Sequence, residues 1–539
     1  MPDQLLKKIF FHQKANWPLY FILAFFLGLA TWRFFAQGLV NWDEAYFMTT
    51  VNTFTNVIRA VLTDPAGLFT KHNFFQNLLS GYNNVYTVAK PSYIISAVLI
   101  NLIWTNEYST RLLSIFSGTL IIIFFFKILA RFQFGARTKF AATFFLAASP
   151  LLLIYSRLGL AQIFSAAFFL IAFYYFIRFA EEKKSRDLAI LAFSLAVLLM
   201  SHYNTIPLVG LLLLITLYLL YRQRQNWKKY ALFLISFLAL PACWEIITRL
   251  GARLAAAKGV LTEENQAQVL SYGQEIIQQF RSGESYTVAA PWRIFYYPQL
   301  IFSTEGIVFA GLFLLGLFFV LKNFRRLKYA PLLMIPLLYF IIYSFVPLKF
   351  PRNIIVILPA LYFFAAFGLA RLVKSLAHLL SQRRKNLLLL FFIGLLILLN
   401  INQYRNILNL NTNFRAVASF IKNNYSPAQV AIFSNSTPIW RNYLPNYKTE
   451  TPTTMYQWAA TNPDKQALFI DDYFTAIKGG ITPAADFTFQ PRLAVLTNIF
   501  QVKPIILDFI YQTEEQNQKL FAVQQKSEIV VEEIIPLKK

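Results

Sequence analysis

The sequence is poor in cysteine, in charge and above all in acid, and each shortage excludes something. Cysteine occurs once, at Cys243 inside an apolar block, so no internal disulfide can form and cysteine usage does not point to a compartment. Charged residues make up only 14% of the chain against 57% hydrophobic, with a mean hydropathy of +0.48, and a soluble core this apolar would be hard to keep in solution. Twenty-five Asp and Glu face fifty Lys and Arg, a formal charge of +25. That excess does not indicate a nucleic-acid partner, because the basic residues sit in clusters between apolar blocks and form no stripe on one soluble face. No internal repeat or low-complexity stretch is present. The first apolar segment is too long for a secretory h-region and lacks a small-residue cleavage site, so it reads as an uncleaved span.

What the chain has in abundance is apolar runs of about twenty residues, the length that crosses a bilayer at about 1.5 Å per residue. Hydropathy places eleven spans near 17–38, 109–130, 139–156, 162–180, 187–203, 205–221, 229–248, 299–321, 330–347, 353–374 and 386–404. With the N-terminus inside, 23 Lys and Arg fall on the inner segments and three, Arg157, Lys349 and Arg352, on the short outer loops. The positive-inside rule then puts the N-terminus in the cytoplasm and the C-terminus outside. Three longer segments, 41–108, 249–298 and the C-terminal region, fall on the outer side.

The outer segments carry their own patterns. Phe47, Met48, Val51, Phe54, Ile58 and Val61 recur at helical spacing and predict an amphipathic helix. Pro91 to Trp104 is apolar but short and reads as an interfacial or re-entrant helix. A helix is expected around Glu263–Phe280. From Asn413 onward soluble patterning appears, with a helix at Phe414–Asn424 and strands at Gln429–Ser434, near Ala467–Ile470 and near Pro504–Phe509. The predicted architecture is a polytopic α-helical membrane domain, 1–404, followed by a small extracytoplasmic α/β domain, 405–539.

The chemistry is expected where the first span ends, at Asn41-Trp42-Asp43-Glu44-Ala45-Tyr46-Phe47, because two adjacent carboxylates at that depth are costly unless they have a role. The same outer face receives Lys90-Pro91, Arg157 with Gln162, His202-Tyr203-Asn204 and Lys349-Phe350-Pro351-Arg352. Acid and several bases converging at a membrane surface suit an anionic, lipid-linked substrate such as a phosphate on a lipid chain. Plainer readings exist for each residue. Asp43 suits a helix N-cap, Lys90 a snorkelling lysine, Arg352 a topological charge, Arg111 a partner for Glu107, and His202 an ordinary hydrogen-bonded histidine.

These motifs, in this order, resemble the GT-C membrane glycosyltransferases. The matching positions are Asp43-Glu44 after the first span, Lys90-Pro91 before an apolar helix, and Glu107 with Arg111 at the opening of the second span. Ser149-Pro150 followed by Tyr155-Ser156-Arg157, and Lys349-x-Pro-Arg352, complete the set. Within that superfamily the chain is most similar to the protein O-mannosyltransferases and the bacterial aminoarabinose transferases of lipid A, over roughly residues 15–375. The resemblance implies a polyprenyl-phosphate sugar as donor and a lipid, glycan or protein hydroxyl as acceptor, in a bacterial plasma membrane. It further implies inversion at the anomeric carbon. Asp43 is then the general base, Lys90, Arg352 and Lys349 hold the donor phosphate, and Glu44 orients the acceptor or a neighbouring cation. Arg157, Gln162, His202 and Tyr46 are further candidates for contact with substrate. Many relatives carry an acid where this chain has Gln162, and a neutral amide is a weak ligand for a hard cation, so no metal or other cofactor is assigned. Two rival readings are a lipid-linked oligosaccharide flippase and a catalytically silent assembly subunit. Transporters place ionisable residues near the bilayer midplane, whereas these gather at one face.

Overall fold

The computed structural model describes residues 2–39, 42–63, 90–104, 108–257, 295–327, 330–345, 351–376, 381–410, 412–462, 464–471, 492–501 and 528–535. The expected helix near Glu263–Phe280, the strand near Pro504–Phe509, Glu107 and Lys349 lie outside the described residues.

Helices run in chain order as α1 (Pro2–Thr31), α2 (Trp42–Thr63), α3 (Pro91–Ile103), α4 (Ser109–Arg131), α5 (Ala136–Ala147) and α6 (Pro150–Arg157). They continue as α7 (Ala161–Glu182), α8 (Ser185–Leu199), α9 (Ile206–Arg222), α10 (Trp227–Ala257), α11 (Tyr296–Lys322), α12 (Ala330–Phe345) and α13 (Leu358–Leu376). Then follow α14 (Gln382–Leu399), α15 (Ile401–Leu408), α16 (Phe414–Asn424), α17 (Thr437–Tyr443) and α18 (Met455–Thr461). Among the described residues seven helices are long and apolar enough to cross a membrane, or nine if each bent pair is one span, against the eleven expected. The difference has local causes. The span expected at 139–156 is α5 and α6 meeting at 50°, and that at 386–404 is α14 and α15 meeting at 55°. At the first bend Pro150 has no N–H to continue the ladder and holds Ser149 in an extended conformation. The segments expected at 187–203 and 330–347 form α8 and α12, of 15 and 16 residues, short of the usual membrane thickness.

In lipid the hydrophobic effect does not hold helices together, so close packing must. Two glycines show it: a Cβ on Gly316 would lie 1.7 Å from the Phe364 carbonyl oxygen, and one on Gly368 2.0 Å from that of Leu312. Only glycine lets α11 and α13 approach to backbone contact. Within α11, Gly306 adopts φ 84°, ψ 171° and breaks the helix beside Glu305. Phe363 of α13 stacks on Phe125 of α4 and Phe173 of α7, with centroids 4.7 and 5.6 Å away, and so joins three spans in one aromatic column.

The C-terminal region folds around a five-stranded sheet of β1 (Val430–Phe433), β2 (Lys448–Glu450), β3 (Gln466–Asp471), β4 (Arg492–Gln501) and β5 (Glu528–Ile535). Its order is β2-β1-β3-β5-β4, with β1 parallel to both its neighbours and β5 antiparallel to β3 and β4. Helix α17 of this region packs on α2. Helix α2 is amphipathic as its spacing predicts, but its apolar face, with Phe47, Met48 and Val51 buried, packs into the protein core and does not lie open along the membrane surface. Asn101 of α3 fastens it by donating to Asn52 Oδ1 at 3.1 Å and Thr55 Oγ1 at 2.9 Å.

Candidate active site

Asp43 and Glu44 both fall in the first turn of α2, and consecutive residues on a helix point about 100° apart. They therefore meet different partners. Glu44 turns inward, where its carboxylate accepts from Arg111 Nε at 2.5 Å and Nη2 at 3.2 Å and from the Gly159 backbone N–H at 3.0 Å. Arg111 also donates to the Gly38 carbonyl, and both side chains are fully buried. The carboxylate that Arg111 meets is thus Glu44, and the cation that Glu44 orients is Arg111. A Cβ on Gly159 would collide with Thr110 and Glu44, so glycine is what admits this carboxylate to the backbone.

Asp43 turns toward Arg352, which reaches it across 309 positions of sequence to form an ion pair. The two side chains keep 7% and 14% of their surface exposed, where the Glu44–Arg111 pair keeps none. Arg352 sits in a 3-10 turn, Pro351–Val356, whose position is set by its neighbour Asn353. Asn353 Oδ1 accepts from Asn204 Nδ2 at 2.5 Å, and its carbonyl accepts from Tyr339 OH at 3.2 Å. Tyr343 OH donates to the Asn204 carbonyl at 3.1 Å, and the rings of Tyr339 and Tyr343 stack with centroids 4.3 Å apart. Two tyrosines of α12 thus tie the Arg352 turn to the His202–Asn204 turn.

Lys90 comes to the same place by another route. It is the residue before Pro91, where proline opens α3, and Ser92 anchors that helix start to the end of α8 by bonds to the carbonyls of Met200 at 3.2 Å and Val197 at 2.9 Å. Its ammonium lies 5.4 Å from the Phe47 ring centroid. Burial and then the charges of Lys90 and Arg352 push the His202 imidazole well below its ordinary pKa, so the ring is neutral beside two cations. His202 Nδ1 accepts from the Asn204 backbone N–H at 3.2 Å, which leaves the proton on Nε2, 3.0 Å from the Gln162 amide. With that amide turned so that Oε1 accepts, the pair is satisfied, and so is the Gln162 Oε1 that otherwise has no partner.

The remaining predicted residues divide. Tyr46 lies three residues after Asp43 and is half-buried; burial raises its phenol pKa, Arg441 lowers it and Asp43 raises it again. Arg157 is fully buried, and its Nη1 donates to the carbonyls of Leu29, Ala30 and Trp32 at 3.0, 3.2 and 2.7 Å, closing the end of the first span. Exposed C-terminal carbonyls of a helix are a strong attraction for a guanidinium, and they hold this one in the protein interior. Among the described residues no three His, Cys, Asp or Glu side chains are grouped as metal ligands. Sequence reasoning missed Glu305, which accepts from Ser149 OH at 2.7 Å, Leu151 N–H at 3.3 Å and Tyr362 OH at 2.5 Å and so braces the α5–α6 bend. An acid inside an apolar run, followed by glycine, was the available signal.

Three comparisons bear on this arrangement. The sequence model for dolichyl-phosphate-mannose-protein mannosyltransferases matches residues 91–247, which include Lys90's helix, Arg111, Arg157, Gln162 and His202. The crystal structure of ArnT from Cupriavidus metallidurans in the apo state superposes with a TM-score of 0.55 at 14% identity, covering 95% of this chain and 97% of that one. The chain has the fold of ArnT. The structure of the same ArnT bound to undecaprenyl phosphate gives a TM-score of 0.56 at 14% identity over 96% of this chain and 98% of the other. Compared with curated protein sequences, the chain has no significant match.

Proposed function

We propose that this protein transfers a sugar from a polyprenyl-phosphate donor to an acceptor hydroxyl at the outer face of the membrane, with inversion. The observation that carries the reading is the meeting of Asp43, Arg352, Lys90 and His202, from four distant parts of the chain, at one edge of the spans. The acceptor oxygen attacks the anomeric carbon, its proton passes to the Asp43 carboxylate, and the bond from carbon to phosphate oxygen breaks. The polyprenyl phosphate leaves with the electron pair, and Arg352 and Lys90 neutralise it, with Lys349 as a further cation of the same loop. Bidentate geometry favours arginine for the phosphate, and lysine adds a point charge.

In the resting protein Arg352 neutralises the proposed base. An arriving phosphate competes with Asp43 for the guanidinium, so donor binding and release of the base become one event, and the donor binds first. His202, held neutral, donates to Gln162 and orients that wall of the site. The acceptor is a lipid, glycan or protein hydroxyl. No step requires a metal.

Purified protein in sealed vesicles, given a panel of undecaprenyl-phosphate sugars and a membrane glycolipid extract, should release undecaprenyl phosphate and label an acceptor. A lipid that is moved across the bilayer unchanged would identify a flippase, and no change in the lipid at all a silent subunit. For orientation, Ser426→Cys and Asn226→Cys in a Cys243→Ser background should react with an impermeant maleimide on intact cells at the first position alone. Equal labelling would reverse the assignment of sides.

A further inference from the structure

Both flanks of Asp43 are held by the C-terminal domain. On the N-terminal flank, Thr412 donates from its backbone N–H to the Gln37 carbonyl at 3.3 Å and from Oγ1 to the Leu39 carbonyl at 3.0 Å. Leu39 N–H donates to Tyr443 OH at 2.8 Å. On the other flank, Asn442 Nδ2 donates to the Ala45 carbonyl at 2.7 Å and to Thr49 Oγ1 at 2.9 Å. Thr49 in turn donates to the same Ala45 carbonyl at 3.0 Å, which closes a small ring of hydrogen bonds on the first turn of α2. Asn442 and Tyr443 are consecutive at the end of α17, so one short helix touches the chain before and after the carboxylate.

We infer that Asn442 and Tyr443 are positioning residues, through which the C-terminal domain sets where Asp43 stands relative to Arg352. The physical reason is the asymmetry of the site. The cations are anchored in the membrane domain alone, Lys90 through Ser92 and Arg352 through Asn353, whereas the segment that carries Asp43 is shared: Gly38 and Glu44 are bonded to the membrane domain, and Leu39, Ala45 and Thr49 to α17. A base displaced by about 1 Å can lose about 100-fold in rate with no change in donor binding. The catalytic part of this inference rests on the function proposed above; the mechanical part does not.

The test uses the full-length protein and two readouts. In Asn442→Ala and in Tyr443→Phe, hydrogen exchange of the amides over residues 42–49 should quicken about 10-fold while those of 91–103 stay at parental protection, because only the local opening is eased. Undecaprenyl phosphate should stabilise both variants against heat as it does the parent, and turnover with an undecaprenyl-phosphate sugar should fall about 10-fold in kcat with donor KM within about 2-fold. Thr49→Val, which removes the acceptor, should reproduce the effect, and Thr49→Ser should not. Unchanged exchange in all variants overturns the inference, as does loosening of the whole membrane domain together with loss of lipid binding. Local loosening with parental kcat would show that α17 holds the loop without placing the base. If the parent itself has no transfer activity the proposed function fails, and the exchange result still decides the mechanical claim.

Discussion

Glu44 and Asp43 are neighbours in sequence, each paired with an arginine from a distant part of the chain, yet the two pairs differ in what surrounds them. Glu44 and Arg111 are wholly buried, with a backbone N–H and a carbonyl completing their shells. Asp43 and Arg352 remain partly exposed, with Lys90 adding positive field on the same side and His202 held neutral beside it. A buried pair of the first kind has nothing to exchange with and can only brace. The second pair is the one at which the proposed mechanism brings in a phosphate to compete for Arg352. The helix period alone, turning one carboxylate inward and the next toward the loops, makes a brace of one and a candidate base of the other.

The comparison breaks most severely at the brace. Arg111→Ala leaves an uncompensated carboxylate in the interior and is expected to destabilise by roughly 3–5 kcal/mol, read as failure to purify a monodisperse protein or as a large fall in melting temperature. Arg352→Ala should instead leave the fold intact and weaken the heat stabilisation given by undecaprenyl phosphate by about 1.5–3 kcal/mol, the usual worth of a hydrogen bond to a charged group. If the two arginines behave alike, the distinction between brace and site is lost.

Smaller effects sharpen the picture around His202. Its folded pKa lies below the unfolded value of about 6.5, so the unfolded chain binds more protons and stability should fall as pH drops from about 7 toward about 5. Gln162→Glu gives the imidazole a carboxylate partner, which raises that pKa and should flatten the acid-side loss of melting temperature. A slope unchanged by the substitution would remove His202 from the account. Tyr343→Phe deletes one bond to the Asn204 carbonyl at constant shape, and we expect a loss of about 0.5–1.5 kcal/mol with slightly weaker lipid binding.

Much of the scaffold was legible because membrane helices announce themselves locally. Each of the eleven apolar runs is mainly helical among its described residues, and what hydropathy could not show was which would bend or fall short. The break before Pro150 was readable in principle, whereas the one at Asn400 has no such marker. Within the site, the order of motifs brought Asp43, Lys90 and Arg352 to one face. The direct contact of Asp43 with Arg352 follows from packing that joins residues 309 positions apart and leaves no periodic trace. The same holds for the tyrosine pair of α12, for Glu305 at its glycine kink and for the grip of α17 on α2. Arg111 was read toward Glu107, which lies outside the described residues, because that spacing is helical; the carboxylate it meets among the described residues is Glu44, from another element.

The central claim is that Asp43 takes a proton, and Asp43→Asn tests it most directly. The amide keeps the shape of the side chain in the first turn of α2, but it cannot accept the acceptor's proton. Transfer from an undecaprenyl-phosphate sugar should fall about 100-fold or more in kcat, while the melting temperature stays near the parent's and undecaprenyl phosphate still stabilises the protein. Transfer at the parental rate by the folded variant would make Asp43 a structural residue of the first turn of α2 and contradict the mechanism.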